Sequence, residues 1–181
     1  MINFAMSLLL SSSLSWFCST GKTLIAAVAM YNFYRWFPTG KVVFLAPTRP
    51  LVTQQIEACY NIMGIPMADT AEISGRTKPS RRSDLWKTRR VFFCTPQSFQ
   101  KDLEEDRCDP KQVVCLVLDE AHRASGKYAY VQAIDILEKA GAKFRVVCLI
   151  HLFCSIFSTF IFLITDENLV SITILYITRL D

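Results

Sequence analysis

The chain has 181 residues, is 51% hydrophobic and carries a formal net charge of +4 from 20 Lys and Arg against 16 Asp and Glu. At roughly 100–200 residues per domain this is one domain with room for a real core, and it is too short for a two-domain motor. The charges are uneven: none falls in 1–21 and four (Asp166, Glu167, Arg179, Asp181) fall in 146–181, so residues 22–145 hold 32 of them and are net +6, the density of an ordinary globular domain and not of collagen, a coiled coil, low-complexity disorder or a small disulfide scaffold.

Residues 1–20 (MINFAMSLLLSSSLSWFCST) have the apolar stretch of a secretory signal. They lack its basic start and its small-residue cleavage site, so a signal peptide is not expected. From Lys22 a helix is predicted over 22–36, ended by Pro38-Thr39-Gly40, followed by the apolar run 42–46. A second helix spans 50–63 and stops at Gly64; a third, opened by Pro79, spans 79–88 and leads to the run 91–94. Pro96 and Gln97 start a fourth helix (97–105), the run 113–118 follows, and a fifth helix (about 127–140) precedes the run 145–149. Unbroken apolar runs of this length suit strands covered on both faces. Their alternation with helices predicts an α/β doubly wound parallel sheet with helices on both faces, and a site at the carboxyl ends of its strands.

Residues 146–165 form an uncharged 20-residue window, the length a membrane-spanning helix needs. The other reading keeps 145–149 as a core strand and treats the apolar remainder as foreign to the domain. The expected division is therefore an apolar segment 1–20, a folded domain 21–149 and an apolar segment 150–181. The seven cysteines are scattered, with no Cys-x-x-Cys pair. Their odd number and apolar settings point to a reducing compartment, without metal binding through Cys.

Two motifs fall where a site is expected. Gly21-Lys22-Thr23 opens a helix, a place where backbone N–H groups hold phosphate, Lys reaches the terminal phosphates and Thr ligates a nucleotide-bound Mg²⁺. Alone it also fits a chance turn, since the first Gly of the full phosphate-loop pattern would fall on Trp16. At the end of the fourth run stands Asp119-Glu120-Ala121-His122. Two carboxylates ending a buried strand are costly unless a cation or solvent faces them. Asp119 suits a Mg²⁺ ligand and Glu120 a base that orients water, the parts that phosphoryl transfer from ATP needs. A basic cluster follows from Arg76 to Arg90, with Arg81 and Arg82 at its centre and Asp84 its only acid. It reads as a DNA-backbone track or as a solvated face.

The ordered series GKT, Ala46-Pro47-Thr48-Arg49-Pro50-Leu51-Val52, Thr95-Pro96-Gln97 and Asp119-Glu120-Ala121-His122 resembles the superfamily 2 helicases. The runs AAVAMYNFYRWFPTGKVVFLAPTRPLVTQQIEACYNIMGIP and CLVLDEAHRASGKYAYVQ narrow this to a resemblance to the Fanconi anemia group M family, over about 20–149. The resemblance implies the first RecA-like domain of an ATP-dependent DNA translocase that works on branched DNA and replication forks in the nucleus. It implies ATP binding by Ser19, Thr20, Gly21, Lys22 and Thr23, Mg²⁺ on Thr23 and Asp119, and catalysis by Glu120 with Asp119. His122 would couple hydrolysis to the DNA face, and Thr48, Arg49, Thr95, Pro96 and Gln97 would touch the DNA backbone.

The sequence departs from the family in three places. Ser19 stands where the family carries a Gly, Ile150-His151-Leu152 replaces a Ser/Thr-Ala-Thr-Pro motif, and no second RecA-like domain with an arginine finger follows. The apolar flanks are therefore expected to be translated intron or a truncated gene model. Three readings stay open: the ATPase half of a DNA motor, a non-catalytic nucleotide- or DNA-binding fragment, and a membrane-anchored protein using 146–165.

Overall fold

A computed structural model describes residues 17–120, 129–150, 159–164 and 174–177. Its elements in chain order are α1 (Phe17–Trp36), β1 (Lys41–Leu45), α2 (Arg49–Met63), β2 (Thr70–Ile73), α3 (Pro79–Thr88), β3 (Val91–Cys94), α4 (Pro96–Glu104), β4 (Val113–Leu118), α5 (Ala129–Lys139), β5 (Arg145–Ile150), β6 (Thr159–Ile164) and β7 (Ile174–Ile177). The sheet order is β2-β3-β1-β4-β5-β6-β7. The first five strands of that order are parallel, and β6 and β7 add on antiparallel.

The four apolar runs are the four strands β1, β3, β4 and β5, and alternation within them divides the core in two. Val42 and Phe44 of β1 join Cys115 and Val117 of β4 under α1 and α2, with Ala26, Ala27, Met30, Val52 and Cys59. Val43 and Leu45 join Leu116 and Leu118 on the other face, beneath Trp86 of α3, Phe99 and Leu103 of α4, and Tyr130 and Leu137 of α5. A strand buried on both faces has no polar side, hence the unbroken runs.

Local signals set the helix ends. Pro50, Pro79 and Pro96 sit in the first turns of α2, α3 and α4, where a missing N–H costs nothing. Gly64 closes α2 in the left-handed conformation (φ 61°), its N–H bonding the carbonyl of Tyr60 at 3.0 Å, as a helix C-terminus favours.

Three expectations need correction. β2 was not anticipated: at the sheet edge, Thr70-Ala71-Glu72-Ile73 buries only Ala71 and Ile73, so it carries no continuous apolar run. α1 begins at Phe17, five residues before the predicted start. The window 146–165 is not one helix, because β5 and β6 pair antiparallel within it. No helix among the described residues is long and apolar enough to cross a membrane.

Candidate functional site

Parallel strands bring their carboxyl ends to one edge, and the peptide ladder there ties the motifs together. The Ala46 N–H donates to the Cys94 carbonyl at 3.1 Å, and the Asp119 N–H donates to the Leu45 carbonyl at 2.9 Å. The segments 46–52, 95–97 and 119–120, far apart in sequence, are therefore neighbours on this edge.

Lys22 and Thr23, on α1, are buried, as are Gln55 on α2 and Asp119 after β4. The Thr23 hydroxyl donates to Gln55 Oε1 at 3.0 Å. One helical turn further along α2, the Cys59 thiol is pushed up to about 12, first by burial and then by the Asp119 carboxylate. Gln55 and Cys59 are four residues apart and share a helix face, so that face links Thr23 to Asp119. The sheet parity agrees, since Cys115, Val117 and Asp119 alternate toward α1 and α2.

Glu120 is in the left-handed region (φ 54°), a conformation that costs a non-glycine residue about 1 kcal/mol or more unless its surroundings impose it. Hydrogen bonds brace the turn. The Glu120 N–H donates to Asp119 Oδ1 at 3.0 Å, and the Tyr130 hydroxyl donates to the Asp119 carbonyl at 2.8 Å. Tyr130 and Gln55 escaped the sequence reading. Tyr130 lies in an ordinary amphipathic helix, and the only hint for Gln55 was a buried position occupied by a polar residue.

The donor set of Thr23 and Asp119 fits Mg²⁺: both offer hard oxygen, and Mg²⁺ in nucleotide sites takes few protein ligands beside water and phosphate. The Thr23 hydroxyl, its proton given to Gln55, acts toward a cation through its oxygen. Among the described residues no group of three His, Cys, Asp or Glu could hold a metal by itself. The segment expected to be a phosphate loop is helical. Ser19, Thr20 and Gly21 lie within α1, where a helical N–H bonds the carbonyl four residues back, so Gly21 and Lys22 do not present N–H groups from a loop. His122 lies outside the described residues.

The residues expected to touch DNA are divided. Thr48, Arg49 and Gln97 are exposed at this edge, Thr95 is half-buried with its hydroxyl donating to Ser98 Oγ at 3.0 Å, and Pro96 is buried. The Arg49 guanidinium lies over the turn after β2, where a methyl added at Gly75 would sit 3.1 Å from it. Arg81 is exposed, but Arg82 is not a surface cation. It is buried, 2.8 Å from Asp102 Oδ1, with its Nε donating to Asp102 Oδ2 at 3.0 Å and an Nη to the Ser98 carbonyl at 2.5 Å. Asp102, fully buried, also accepts from Trp86 Nε1 at 2.8 Å and Arg107 at 2.9 Å.

Known proteins are similar to this chain in sequence and in fold. Over 129 residues the chain is 55% identical to the DEAD-box ATP-dependent RNA helicase FANCM of Arabidopsis thaliana, covering 71% of this chain and 10% of that protein. It is 52% identical over 141 residues to the Fanconi anemia group M protein homolog of Mus musculus, covering 74% of this chain and 7% of that one. With the ATP-dependent DNA helicase fml1 of Schizosaccharomyces pombe it shares 50% over 129 residues, covering 71% and 16%. The chain thus spans at most about a sixth of these relatives. Among solved structures, the helicase domain of Pyrococcus furiosus Hef superposes with a TM-score of 0.64 at 36% identity, covering 71% of this chain and 26% of that one. Residues 14–147 match the family described as type III restriction enzyme, res subunit; with α1 through the first half of β5 and both ends of the site inside that match, the chain belongs to this family.

Proposed function

We propose that this chain is the ATP-binding half of an ATP-dependent DNA motor of the Fanconi anemia group M kind, acting in the nucleus on branched DNA. The observation that carries the reading is the meeting of buried Thr23 and Asp119 across the Gln55–Cys59 face of α2, beside buried Lys22. In this reading Lys22 binds the terminal phosphates of Mg-ATP, Thr23 and Asp119 hold its Mg²⁺, and Glu120 orients and deprotonates the attacking water. Thr48, Arg49 and Gln97, on the same edge, contact phosphates of DNA, the mode a sequence-indifferent translocase requires.

Because Gly21 and Lys22 lie inside helical α1, their N–H groups are engaged along the helix, and phosphate meets only those of its first turn. Ser19, which lacks the conformational freedom of Gly, favours the helix. Weak binding is the expected result. Calorimetric titration of the 181-residue chain with Mg-ATP tests this: Ser19→Gly should tighten binding and Lys22→Ala should abolish it. Equal affinity for Lys22→Ala and the unmodified chain would remove the assignment.

A further inference from the structure

The opposite edge of the sheet, where the strands begin, carries a second site. A cleft of about 620 Å³ opens there between the end of α1, the end of α3 and the approach to β4. Its walls include Trp36, Lys41, Lys87, Arg89, Arg90 and Lys111, and no Asp or Glu lines it. Parallel topology explains why it is separate from the Asp119 edge. α3 runs back between β2 and β3, so the basic stretch 76–90 is divided: Arg76, Lys78 and Arg81 lie toward the carboxyl edge, and Lys87, Arg89 and Arg90 toward the amino edge.

Not all of this charge is available to a ligand. Lys41 Nζ donates to the carbonyls of Trp86 and Arg89, and burial, with Arg90 nearby, holds its ammonium below the ordinary lysine range. Arg90 stacks 3.9 Å over the Tyr34 ring and donates to the carbonyls of Tyr34 and Phe37 at 2.6 and 2.9 Å. Two carboxylates lie close by: Asp69 accepts the Tyr34 hydroxyl, and Asp109 caps the backbone of Lys111 and acts on Lys41. Lys87, Arg89 and Lys111 remain to face the opening. The Nε atoms of Arg89 and Arg90 are buried, so these two side chains offer only their outer guanidinium nitrogens to a ligand.

Beside these cations stand two exposed aromatic side chains, Trp36 at 65% and Phe37 at 43% of full exposure. Phosphate-neutralising cations next to a flat aromatic surface are the combination that binds single-stranded nucleic acid without regard to sequence, and the volume suits a nucleotide-sized group. We infer that this cleft holds a segment of single-stranded nucleic acid, with a base on Trp36 and its phosphates on Lys87, Arg89 and Lys111. The inference does not rest on the ATP reading of the other edge.

The test is fluorescence-anisotropy titration of the 181-residue chain with a labelled oligothymidylate, without ATP or Mg²⁺, across a series of salt concentrations. Substituting Trp36→Ala should weaken binding about tenfold, the loss expected for one stacked base. Lys87→Ala with Lys111→Ala should lower the slope of log affinity against log salt by about 1.4, or 0.7 for each phosphate contact on a single strand. Lys87→Arg should retain both affinity and slope, and circular dichroism of these exposed-site variants should match the parent. Unchanged affinity and slope in the cleft variants would overturn the inference. Competition by free thymidine monophosphate, as strong as by the same concentration of nucleotide in the oligomer, would also overturn it. A loss confined to Arg49→Ala would place the strand on the carboxyl edge alone, against the cleft and in favour of the motor reading.

Discussion

Arg82 and Arg81 are adjacent in sequence and have opposite environments. Arg81 points to solvent, whereas Arg82 is clamped by Asp102 and the Ser98 carbonyl inside the helical layer formed by α3 and α4. Breaking a buried ion pair leaves an uncompensated charge and costs roughly 3–5 kcal/mol. Arg82→Met should fall near the low end, about 3 kcal/mol, because Arg107 still pairs with Asp102 at 2.9 Å. Urea denaturation measures this, and a stability change below about 1 kcal/mol would contradict the clamp. Arg81→Met should leave the midpoint nearly unchanged, since an exposed substitution away from such features usually shifts stability by no more than about 0.5 kcal/mol. Gly40, by contrast, has a steric role. A Cβ there would meet the two methyls of Val114 at 2.7 and 2.8 Å and Cβ of Phe37 at 2.9 Å. Gly40→Ala should therefore cost about 1–3 kcal/mol through overpacking, seen as a lower melting temperature.

At the scale of elements, α2 and α3 organise the chemistry. α2 places Gln55 and Cys59 on one face, toward Thr23 and Asp119, so a lesion on that face disturbs the site without touching either motif. Gln55→Leu should remove the acceptor that orients the Thr23 hydroxyl and weaken Mg-ATP binding, whereas binding without metal should change less; calorimetry with and without Mg²⁺ separates the two. α3 distributes basic residues to both sheet edges, so the stretch 76–90 does not act as one track. Unbroken apolar runs, with the Pro and Gly signals between them, were enough to locate four core strands and the five helices among the described residues. They could not reveal β2, whose outward residues are polar, nor the start of α1, where uncharged Phe17-Cys18-Ser19-Thr20 carries no stop signal.

For the whole molecule, the buried thiols make stability sensitive to alkali. Burial pushes Cys59 and Cys115 up to about 12 and Cys148 to about 11, and it also raises Cys94 and Cys108. A group whose pKa is higher in the folded chain stabilises it fully below the unfolded pKa, and the stabilisation is lost as pH rises toward the folded value. Stability should hold to about pH 8.5, where unfolded thiols begin to ionise, and then fall steeply toward pH 11. Urea midpoints across that range check this, and Cys115→Ala should reduce the slope. Catalysis is the other whole-molecule property. In related phosphoryl-transfer systems an arginine finger contributes about 10³–10⁵ in rate, and the resemblance assigns that residue to a second RecA-like domain. A polypeptide of these 181 residues should therefore hydrolyse ATP barely measurably and without stimulation by DNA. Adding the second domain after Leu149 should raise turnover, and Glu120→Gln should then abolish it. Brisk, DNA-stimulated hydrolysis by the 181 residues alone would overturn this account.

Read residue by residue, the chain determined its α/β class and the place of its motifs, because unbroken apolar runs mark doubly covered strands and parallel connection sends every strand end to one edge. The neighbourhood of Gly21-Lys22-Thr23 and Asp119-Glu120 follows from that rule. Tertiary structure alone decided which basic residues are cations on a surface and which are partners in the core. Arg82 meets Asp102 from 20 residues away, and Thr23 meets Gln55 from 32. It also placed Trp36, Lys87 and Lys111 around one cleft. Local periodicity reports burial of a face, but the partner of a buried polar group is set by packing between elements, which no window of sequence contains.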